Sequence, residues 1–200
     1  MKLIFISGPS GSGKTTLSNQ IIVKIKNGII LSTDNYYKTG LLSNLLSKVV
    51  DSYFDKRISF NYKLFKKDFN YILNNGSSIN ERSYDFERKI INNLLNKTNN
   101  INFIIVEGIF AKELSSTLCN QEYYFFELKI NKNDCMERVV QRDIKERGKT
   151  KKQALEDFSK SWDLYYQKFK NKNIKNIANE FTITKNTNID KIIKNYLNEF

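Results

Sequence analysis

The most informative absence in this 200-residue chain is histidine, which does not occur at all. Catalytic systems that pair serine or cysteine with histidine are therefore excluded, and so are zinc sites that need a histidine ligand. A general base must then be a carboxylate, a lysine, a tyrosine or a thiol. The candidate active site has to be sought among these side chains.

Cysteine and long apolar runs are scarce as well. The two cysteines, Cys119 and Cys135, are too few for a disulfide framework and have no Cys-x-x-Cys spacing, so we expect reduced thiols. No run reaches the ~18 consecutive apolar residues of a membrane helix, and the apolar N-terminal segment is too short for a signal peptide. These absences predict a soluble, cytoplasmic protein with no membrane partner.

The net charge of +12 raises the question of a polyanionic partner. Lysine and asparagine are abundant along the whole chain and proline occurs once, at Pro9, which indicates a composition bias rather than a built patch. No nucleic-acid-binding module is recognisable. A nucleotide-dependent nucleic-acid-binding protein stays open as an alternative, and stimulation of hydrolysis by RNA or DNA would distinguish it.

Short apolar runs alternate with helical patterns along the chain. The apolar runs predict strands at residues 3–6, 29–31, 101–106, 123–130 and 181–183. Helical spacing predicts helices at 15–26, 61–73, 86–95, 111–118, 134–147 and 153–169, with a last helix beginning near residue 187. Residues 33–62 are less regular. The alternation predicts an α/β fold: one domain over residues 1–200, with a five-stranded parallel sheet flanked by helices.

The segment after the first predicted strand matches the phosphate-binding pattern G-x-x-x-x-G-K-[ST] in full. Its residues are Gly8, Pro9, Ser10, Gly11, Ser12, Gly13, Lys14 and Thr15, followed by Thr16. Glycines let backbone N–H groups turn towards a phosphate, and the helix that follows adds the positive end of its dipole. Lys14 is expected to reach the β- and γ-phosphates, and the Thr15 hydroxyl can ligate Mg²⁺. The pattern predicts a P-loop that binds ATP or GTP as phosphate donor, with Mg²⁺.

Two carboxylates come shortly after predicted strands, Asp34 three residues after the end of the second and Glu107 directly after the third. Because the carboxyl ends of parallel strands line the ligand crevice, both are expected near the phosphates. Asp34 is a candidate acceptor for the proton of an attacking hydroxyl, although it could also cap a helix N-terminus. Glu107 is a candidate to hold Mg²⁺ directly or through water.

With these residues in place, the chain resembles the uridine–cytidine kinase family. That family sits within a wider group of small-molecule kinases that includes phosphoribulokinases, pantothenate kinases and nicotinamide riboside kinases. The matching segments run in the family's order and lie at residues 8–16, 32–37, 54–55, 84–86, 106–109 and 142–148. Beyond them, the C-terminal part matches only as helix, strand and helix.

The resemblance implies roles for particular residues. The catalytic group would be Lys14, Arg142 and Asp34, with Asp34 as the base for a nucleoside 5′-hydroxyl, and Thr15 and Glu107 would hold Mg²⁺. The residues implied to bind the nucleoside are Asp34, Tyr37, Phe54, Asp55, Tyr84, Arg142 and Arg147. Among these, Asp55 would bind the ribose hydroxyls and Tyr84 would line the nucleobase pocket. The arginines would belong to a helical lid over approximately residues 138–152.

The chain departs from the family pattern on the nucleoside side. Family members usually have a histidine a few residues after the Tyr-Asp-Phe segment, where this chain continues with Glu87, Arg88 and Lys89. Lys56 and Arg57 stand where the family commonly has His-Pro. The resemblance implies transfer of the γ-phosphate to the 5′-hydroxyl of uridine or cytidine. A related kinase with another alcohol acceptor (nicotinamide riboside, pantothenate or a sugar) stays open, as do the choice of ATP or GTP and a homo-oligomeric state.

Overall fold

The strands form one parallel sheet and one separate hairpin. The computed structural model describes residues 1–77, 81–94, 98–118, 120–169 and 176–197. In chain order the strands are β1 (Lys2–Ser7), β2 (Gly28–Ser32), β3 (Glu81–Asp85), β4 (Ile90–Leu94), β5 (Phe103–Glu107), β6 (Tyr123–Leu128) and β7 (Ile177–Ile183). Five of them pair in parallel in the order β2-β5-β1-β6-β7, which confirms the predicted sheet. Strands β3 and β4 pair antiparallel.

Helices connect the strands of the parallel sheet. They are α1 (Lys14–Lys24), α2 (Leu41–Val49), α3 (Tyr62–Asn75), α4 (Ala111–Leu118), α5 (Lys132–Arg147), α6 (Lys151–Phe169) and α7 (Ile189–Ile192), which continues as a π-helical turn, Ile193–Leu197. Short 3₁₀ turns lie at Thr33–Tyr36, Tyr53–Asp55 and Arg57–Ser59. The lengths of α1, α3, α4, α5 and α6 agree with the predicted helices to within a few residues at each end.

The core lies on both faces of the sheet, because successive side chains of a strand point to opposite sides. On one face, Phe5 and Ile104 pack in a cluster that includes residues of α3 and α4. On the other face, Ile4 and Ile105 pack in a cluster with Ile21 of α1 and with the C-terminal helical turns. The α/β fold with helices on both faces is therefore confirmed, and it leaves the carboxyl ends of the strands for a ligand site.

The predicted helix at 86–95 is wrong, because a tight turn joins β3 to β4 there. The Asp85 carboxylate accepts hydrogen bonds from the backbone N–H groups of Glu87 (2.9 Å) and Arg88 (2.8 Å), which closes the turn. Lys89 has a φ of 55°, in the left-handed region that an α-helix cannot use. The last residue of the predicted helix lies outside the described residues. Apolar spacing alone could not separate this short strand from a helix.

Helix α2 was not predicted, although its sequence carries a helical apolar stripe. Leu41, Leu45 and Val49 stand at i, i+4 and i+8 and are all exposed. Gly40 precedes the helix at a φ of 95°, which sets the direction of entry. Ser43 ties the helix to the preceding segment, because its hydroxyl donates to the Lys38 carbonyl oxygen at 2.7 Å.

The chain is poor in long apolar runs and in cysteine, and the structure bears on both features. Within the described residues, no helix has both the length and the apolar character needed to cross a bilayer. Cys135 is a buried free thiol. Cys119 lies outside the described residues.

Candidate active site

A cleft of ≈ 780 Å³ opens where the strands β1, β2 and β5 end. It gathers most of the residues singled out from the sequence: Ser10, Gly11, Gly13, Lys14, Thr15, Thr16, Asp34, Tyr37, Phe54, Asp55, Glu107, Arg142 and Arg147. The residues singled out that do not line it are Gly8, Pro9, Ser12 and Tyr84. Segments far apart in sequence therefore meet at the one edge of the sheet where a parallel fold binds its ligands.

The phosphate loop connects β1 to α1 in a conformation that glycine makes accessible. Gly11 and Gly13 have φ values of 77° and 95°, and a Cβ on Gly11 would lie 2.4 Å from the Cys135 carbonyl oxygen. Lys14 Nζ donates to the Pro9 carbonyl oxygen at 2.9 Å, so the side chain reaches back across the loop. Burial lowers the pKa of Lys14, because the ammonium is removed from water. A phosphate in this loop would restore a favourable environment for that charge.

Glu107 ends β5 and meets the start of α1. Its register partners are Ile6 of β1 and Ser32 of β2, and Thr15 Oγ1 donates to Glu107 Oε1 at 3.5 Å. The carboxylate is buried, and desolvation, together with the nearby charge of Asp34, raises its pKa. Since burial and Asp34 disfavour the charged form of Glu107, a cation bound beside it would stabilise the carboxylate.

The chain leaves Glu107 through a glycine that no other residue could replace without strain. Gly108 has a φ of 138°, and a Cβ on it would lie 1.8 Å from Thr33 Oγ1. The turn at Gly108 therefore leaves room for the Thr33 side chain, which directly follows β2. Parallel pairing of Glu107 with Ser32 brings Glu107 towards the segment that carries Asp34.

The donor set at Thr15 and Glu107 suits Mg²⁺, which prefers hard oxygen ligands. Across the described ranges, no group of three or more His, Cys, Asp or Glu side chains lies close enough to hold a metal ion. Nucleotide phosphates would therefore have to supply further ligands, as is usual for Mg²⁺ in nucleotide sites. Thr15 and Glu107 are the residues that would contribute the protein's share.

Asp34 lies in the 3₁₀ turn that follows β2. Tyr37 OH donates to Asp34 Oδ1 at 3.3 Å, and burial raises the pKa of Tyr37 well above its usual range, so the phenol stays a donor. Asp34 is not the N-cap of this turn, because the N-cap residue is Ser32. Asn35 Oδ1 accepts from the Tyr84 N–H at 3.1 Å, which ties the turn to the hairpin.

Aromatic rings form one wall of the cleft. Phe54 and Phe86 line it beside Tyr37, and the Tyr37 ring centroid lies 5.1 Å from that of Phe54. Tyr84 lies behind this wall, buried, with its ring centroid 5.0 Å from that of Phe86. Burial raises the pKa of Tyr84 to about 12. Sequence analysis did not single out Phe86, although it directly follows Tyr84 and Asp85 in the matching segment.

Asp55 is a partly buried carboxylate held by a distant helix. Ser161 Oγ of α6 donates to Asp55 Oδ1 at 2.9 Å, and Lys168 Nζ donates to the Asp55 carbonyl oxygen at 2.7 Å. Burial raises the pKa of Asp55, and the Ser161 hydrogen bond opposes that rise. Sequence analysis missed Ser161, since a contact across 106 residues leaves no local signal.

The end of α5 and the residues that follow it place three cations around one buried acid. Asp143 Oδ1 accepts from Arg142 Nη2 at 2.7 Å and pairs with Arg147 Nη1 at 3.5 Å, while Asp143 Oδ2 accepts from Lys149 Nζ at 2.9 Å. Burial opposes ionisation of Asp143, but the positive charges of Arg147, Lys149 and Arg142 outweigh it and lower the pKa of the acid. Asp143 therefore gathers both predicted lid arginines, and the sequence had not indicated this role.

Two further basic residues reach the cleft from other directions. Arg138, one turn before Arg142, is exposed, and its Nη1 donates to the Gly11 carbonyl oxygen at 3.2 Å. Lys89 lines the cleft, and its Nζ donates to Ser47 Oγ at 2.7 Å. The cleft is thus bordered by cations on both the phosphate-loop side and the hairpin side.

Comparisons with known proteins identify the family of this chain. A model of the phosphoribulokinase/uridine kinase family matches residues 3–177. A uridine kinase from Borrelia duttonii is 33% identical over 172 residues, which cover 84% of this chain and 80% of that protein. A uridine kinase from Ureaplasma parvum is 30% identical over 193 residues, covering 89% and 88%.

A solved structure shares the fold. The structure of a possible uridine kinase from Bacillus stearothermophilus superimposes with a TM-score of 0.55 at 15% identity, covering 90% of this chain and 88% of that one. Together with the family match, this confirms the sequence-based prediction of a P-loop kinase, an enzyme that transfers phosphate from a nucleotide. The chain belongs to the phosphoribulokinase/uridine kinase family.

Proposed function

We propose that this enzyme transfers the γ-phosphate of ATP or GTP to the 5′-hydroxyl of uridine or cytidine. The observation that carries the proposal is a single cleft that holds the phosphate loop, Asp34 and Asp55 together. A donor site, a base and a second carboxylate for the acceptor are what phosphorylation of a nucleoside requires. The relatives named uridine kinase in two bacterial genera support the choice of acceptor.

On the donor side, the phosphate loop would bind the triphosphate through its backbone N–H groups. Lys14 would leave the Pro9 carbonyl oxygen, to which it now donates, and contact the β- and γ-phosphates. Thr15 and Glu107 would hold Mg²⁺, which supplies charge neutralisation between the phosphates when bound. A cytoplasmic location, where nucleoside triphosphates are abundant, fits this use.

In the reaction, Asp34 would accept the proton of the 5′-hydroxyl as its oxygen attacks the γ-phosphorus. The bond from the γ-phosphorus to the bridging oxygen breaks, and the nucleoside diphosphate leaves with the electron pair. The Tyr37 hydroxyl, which donates to Asp34 at 3.3 Å, would hold the carboxylate in place. Arg142 and Arg147 would neutralise negative charge that spreads over the transferred phosphoryl group.

On the acceptor side, Asp55 would accept hydrogen bonds from the ribose hydroxyls. The rings of Tyr37, Phe54 and Phe86 would contact the nucleoside. Lys89 is proposed to serve where the family usually has histidine, since its ammonium group carries three donors and Ser47 uses one of them. An ammonium donor suits the carbonyl oxygens of a pyrimidine.

The segment of residues 138–152 is proposed to act as a lid within a single kinase domain. Gly148, at a φ of 61°, ends α5 and separates it from α6, which gives the segment a natural hinge. Asp143 would keep the cations of the lid together until a nucleotide binds. The phosphates would then compete with Asp143 for Arg142 and Arg147.

A coupled assay of nucleoside diphosphate release tests the proposal. Uridine and cytidine are compared with nicotinamide riboside, pantothenate and fructose, each with ATP and with GTP. We expect turnover with a pyrimidine nucleoside and Mg²⁺, and none in the Lys14→Ala variant, whose fold is checked by circular dichroism. Turnover with one of the other acceptors and not with a pyrimidine nucleoside would reject the proposed acceptor. Hydrolysis that RNA or DNA stimulates, with no turnover of any of these acceptors, would favour the nucleic-acid-binding alternative.

A further inference from the structure

We infer that Ser161 is a positioning residue for Asp55, and that α6 is the element that fixes the acceptor carboxylate relative to the phosphate loop. The inference rests on the proposed function, because it concerns the carboxylate proposed to bind the ribose hydroxyls. It adds a residue that touches no substrate and acts through Asp55.

The backbone around Asp55 provides little to orient its side chain. Asp55 ends a three-residue 3₁₀ turn, Tyr53–Asp55, which the chain enters at Ser52 with a φ of 50° and leaves through the extended Lys56. Local hydrogen bonds run from the Asp55 N–H to the Ser52 carbonyl oxygen (3.0 Å), from the Lys56 N–H to that of Tyr53 (3.1 Å) and from Ser59 Oγ to that of Lys56 (2.7 Å). These bonds hold the backbone and do not involve the Asp55 carboxylate. A carboxylate on so short a turn needs support from outside it.

Helix α6 provides that support at two points. Ser161 Oγ donates to Asp55 Oδ1 at 2.9 Å, and Lys168 Nζ donates to the Asp55 carbonyl oxygen at 2.7 Å. Residues seven apart lie two turns apart on the same face of a helix, so one face of α6 holds both the side chain and the backbone of Asp55. The Ser161 bond occupies one lobe of the carboxylate and leaves Oδ2 for the acceptor.

The same helix is anchored to the donor side of the cleft. Tyr165 OH and Ser7 Oγ lie 3.0 Å apart in a buried hydrogen bond, and Ser7 directly precedes the phosphate loop. Phe158 of α6 packs with Cys135 and Val139 of α5 in a buried cluster. Because α6 contacts both sides, its rigid backbone sets the distance between the phosphate loop and Asp55.

The groups around Asp55 determine in which direction its pKa moves when Ser161 is changed. Burial and the charge of Asp34 favour the protonated form of Asp55. The Ser161 hydrogen bond, Lys168 and Arg147 favour the carboxylate. The phenol of Tyr37 also lies near this carboxylate. Removing the Ser161 hydroxyl therefore raises the pKa of Asp55 further, and the carboxylate is lost at a higher pH.

The experiment compares Ser161→Ala with the wild type on uridine and 2′-deoxyuridine. We expect the KM for uridine to rise about tenfold, the loss of one hydrogen bond to a charged group, with kcat and the KM for ATP changed less than about twofold. The KM for 2′-deoxyuridine should change less, because one of the hydroxyls that Asp55 would bind is missing. Ser161→Thr keeps a hydroxyl and should restore the uridine KM.

Ser159→Ala is the matched control, because Ser159 is an exposed serine on the same helix. An unchanged uridine KM in Ser161→Ala overturns the inference, and so does an equal rise in the KM for ATP, which would indicate a general disturbance of α6.

A second experiment measures the pKa of Asp55 directly, from the carboxyl ¹³C resonance titrated without substrate, and therefore does not depend on the acceptor. The pKa of Asp55 should rise in Ser161→Ala, and an unchanged pKa counts against the inference. Failure of the wild type to use any pyrimidine nucleoside rejects the proposed function instead.

Discussion

The guanidinium group of Arg147 lies over the ring of Phe86, with 4.1 Å between Cζ and the ring centroid. Arg147 belongs to the last turn of α5, and Phe86 belongs to the turn between β3 and β4. Burial lowers the pKa of Arg147, and the neighbouring charge of Arg142 contributes. The contact joins the proposed lid to the aromatic wall of the cleft through a cation–π interaction, which a partly desolvated site strengthens.

This contact predicts that Arg147→Lys is not a conservative change. Lysine keeps the positive charge but lacks the planar group that stacks on Phe86 and pairs with Asp143. We expect kcat/KM for the nucleoside to fall by about tenfold. A double-mutant cycle with Phe86→Leu measures the contact itself, and the two changes should be clearly non-additive. Additive losses would mean that the stacking has no part in the reaction.

Asp34→Asn should separate nucleotide binding from phosphoryl transfer. The amide retains the shape of the side chain but cannot accept the proton of the 5′-hydroxyl, so the rate should fall by about 10²–10⁴-fold. Nucleotide affinity, measured by calorimetry, should stay within about twofold of the wild type, because Asp34 is proposed to act on the acceptor. Tyr37→Phe, which removes only the hydrogen bond to Asp34, is expected to have a much smaller effect. A variant that keeps most of its rate would reduce Asp34 to a structural residue.

Much of the donor side could be predicted from the sequence, because its signals are local. The phosphate loop is a contiguous pattern between a strand and a helix, and Asp34 and Glu107 each lie within three residues of the end of an apolar run. Parallel pairing then brings separate strand ends to one edge of the sheet. The order of the strands in the chain and their parallel pairing were therefore sufficient to predict this part of the site.

The acceptor side could not be predicted to the same depth, because its contacts are long-range. Ser161 meets Asp55 across 106 residues, and Lys149 reaches Asp143 only where the chain turns back after α5. The β3–β4 hairpin was mistaken for a helix, since two adjacent isoleucines and a leucine four residues on fit a helical stripe as well as a short strand. The φ of 55° at Lys89 that decides the matter has no sequence signature as clear as a glycine.

Asp143→Asn tests the role of the buried acid in stability. The variant leaves Arg142, Arg147 and Lys149 close together without their shared carboxylate, and we expect it to cost about 2 kcal/mol of unfolding free energy at neutral pH, since the three cations are partly solvated. Because the folded-state pKa of Asp143 is lowered, its contribution is present above the ordinary carboxyl range and is lost as the pH falls through the folded value. Urea unfolding at neutral and acidic pH should show the difference narrowing in acid, and a difference that widened would contradict this account.

Glu107→Gln should change the dependence on Mg²⁺. The amide is nearly isosteric and can still accept from Thr15, but it lacks the negative charge that a divalent ion needs. We expect a roughly 10²-fold lower rate at low Mg²⁺ and partial recovery at high Mg²⁺. Glu137→Gln, an exposed change on α5, serves as the control. An Mg²⁺ dependence equal to that of the wild type would remove Glu107 from the metal site.

Lys89→Met addresses the acceptor site, where the family histidine is missing. Methionine fills a similar volume but cannot donate to a carbonyl oxygen, so the KM for uridine should rise by about tenfold or more while the KM for ATP stays unchanged. Ser47→Ala, which frees the ammonium from its present partner at 2.7 Å, should give a smaller change of the same kind. Lys66→Met on α3 removes an exposed lysine outside the cleft and controls for the loss of charge. Uridine kinetics identical to those of the wild type in Lys89→Met would show that the ring is recognised by the aromatic wall alone, and Phe54 and Phe86 would then be the residues to vary.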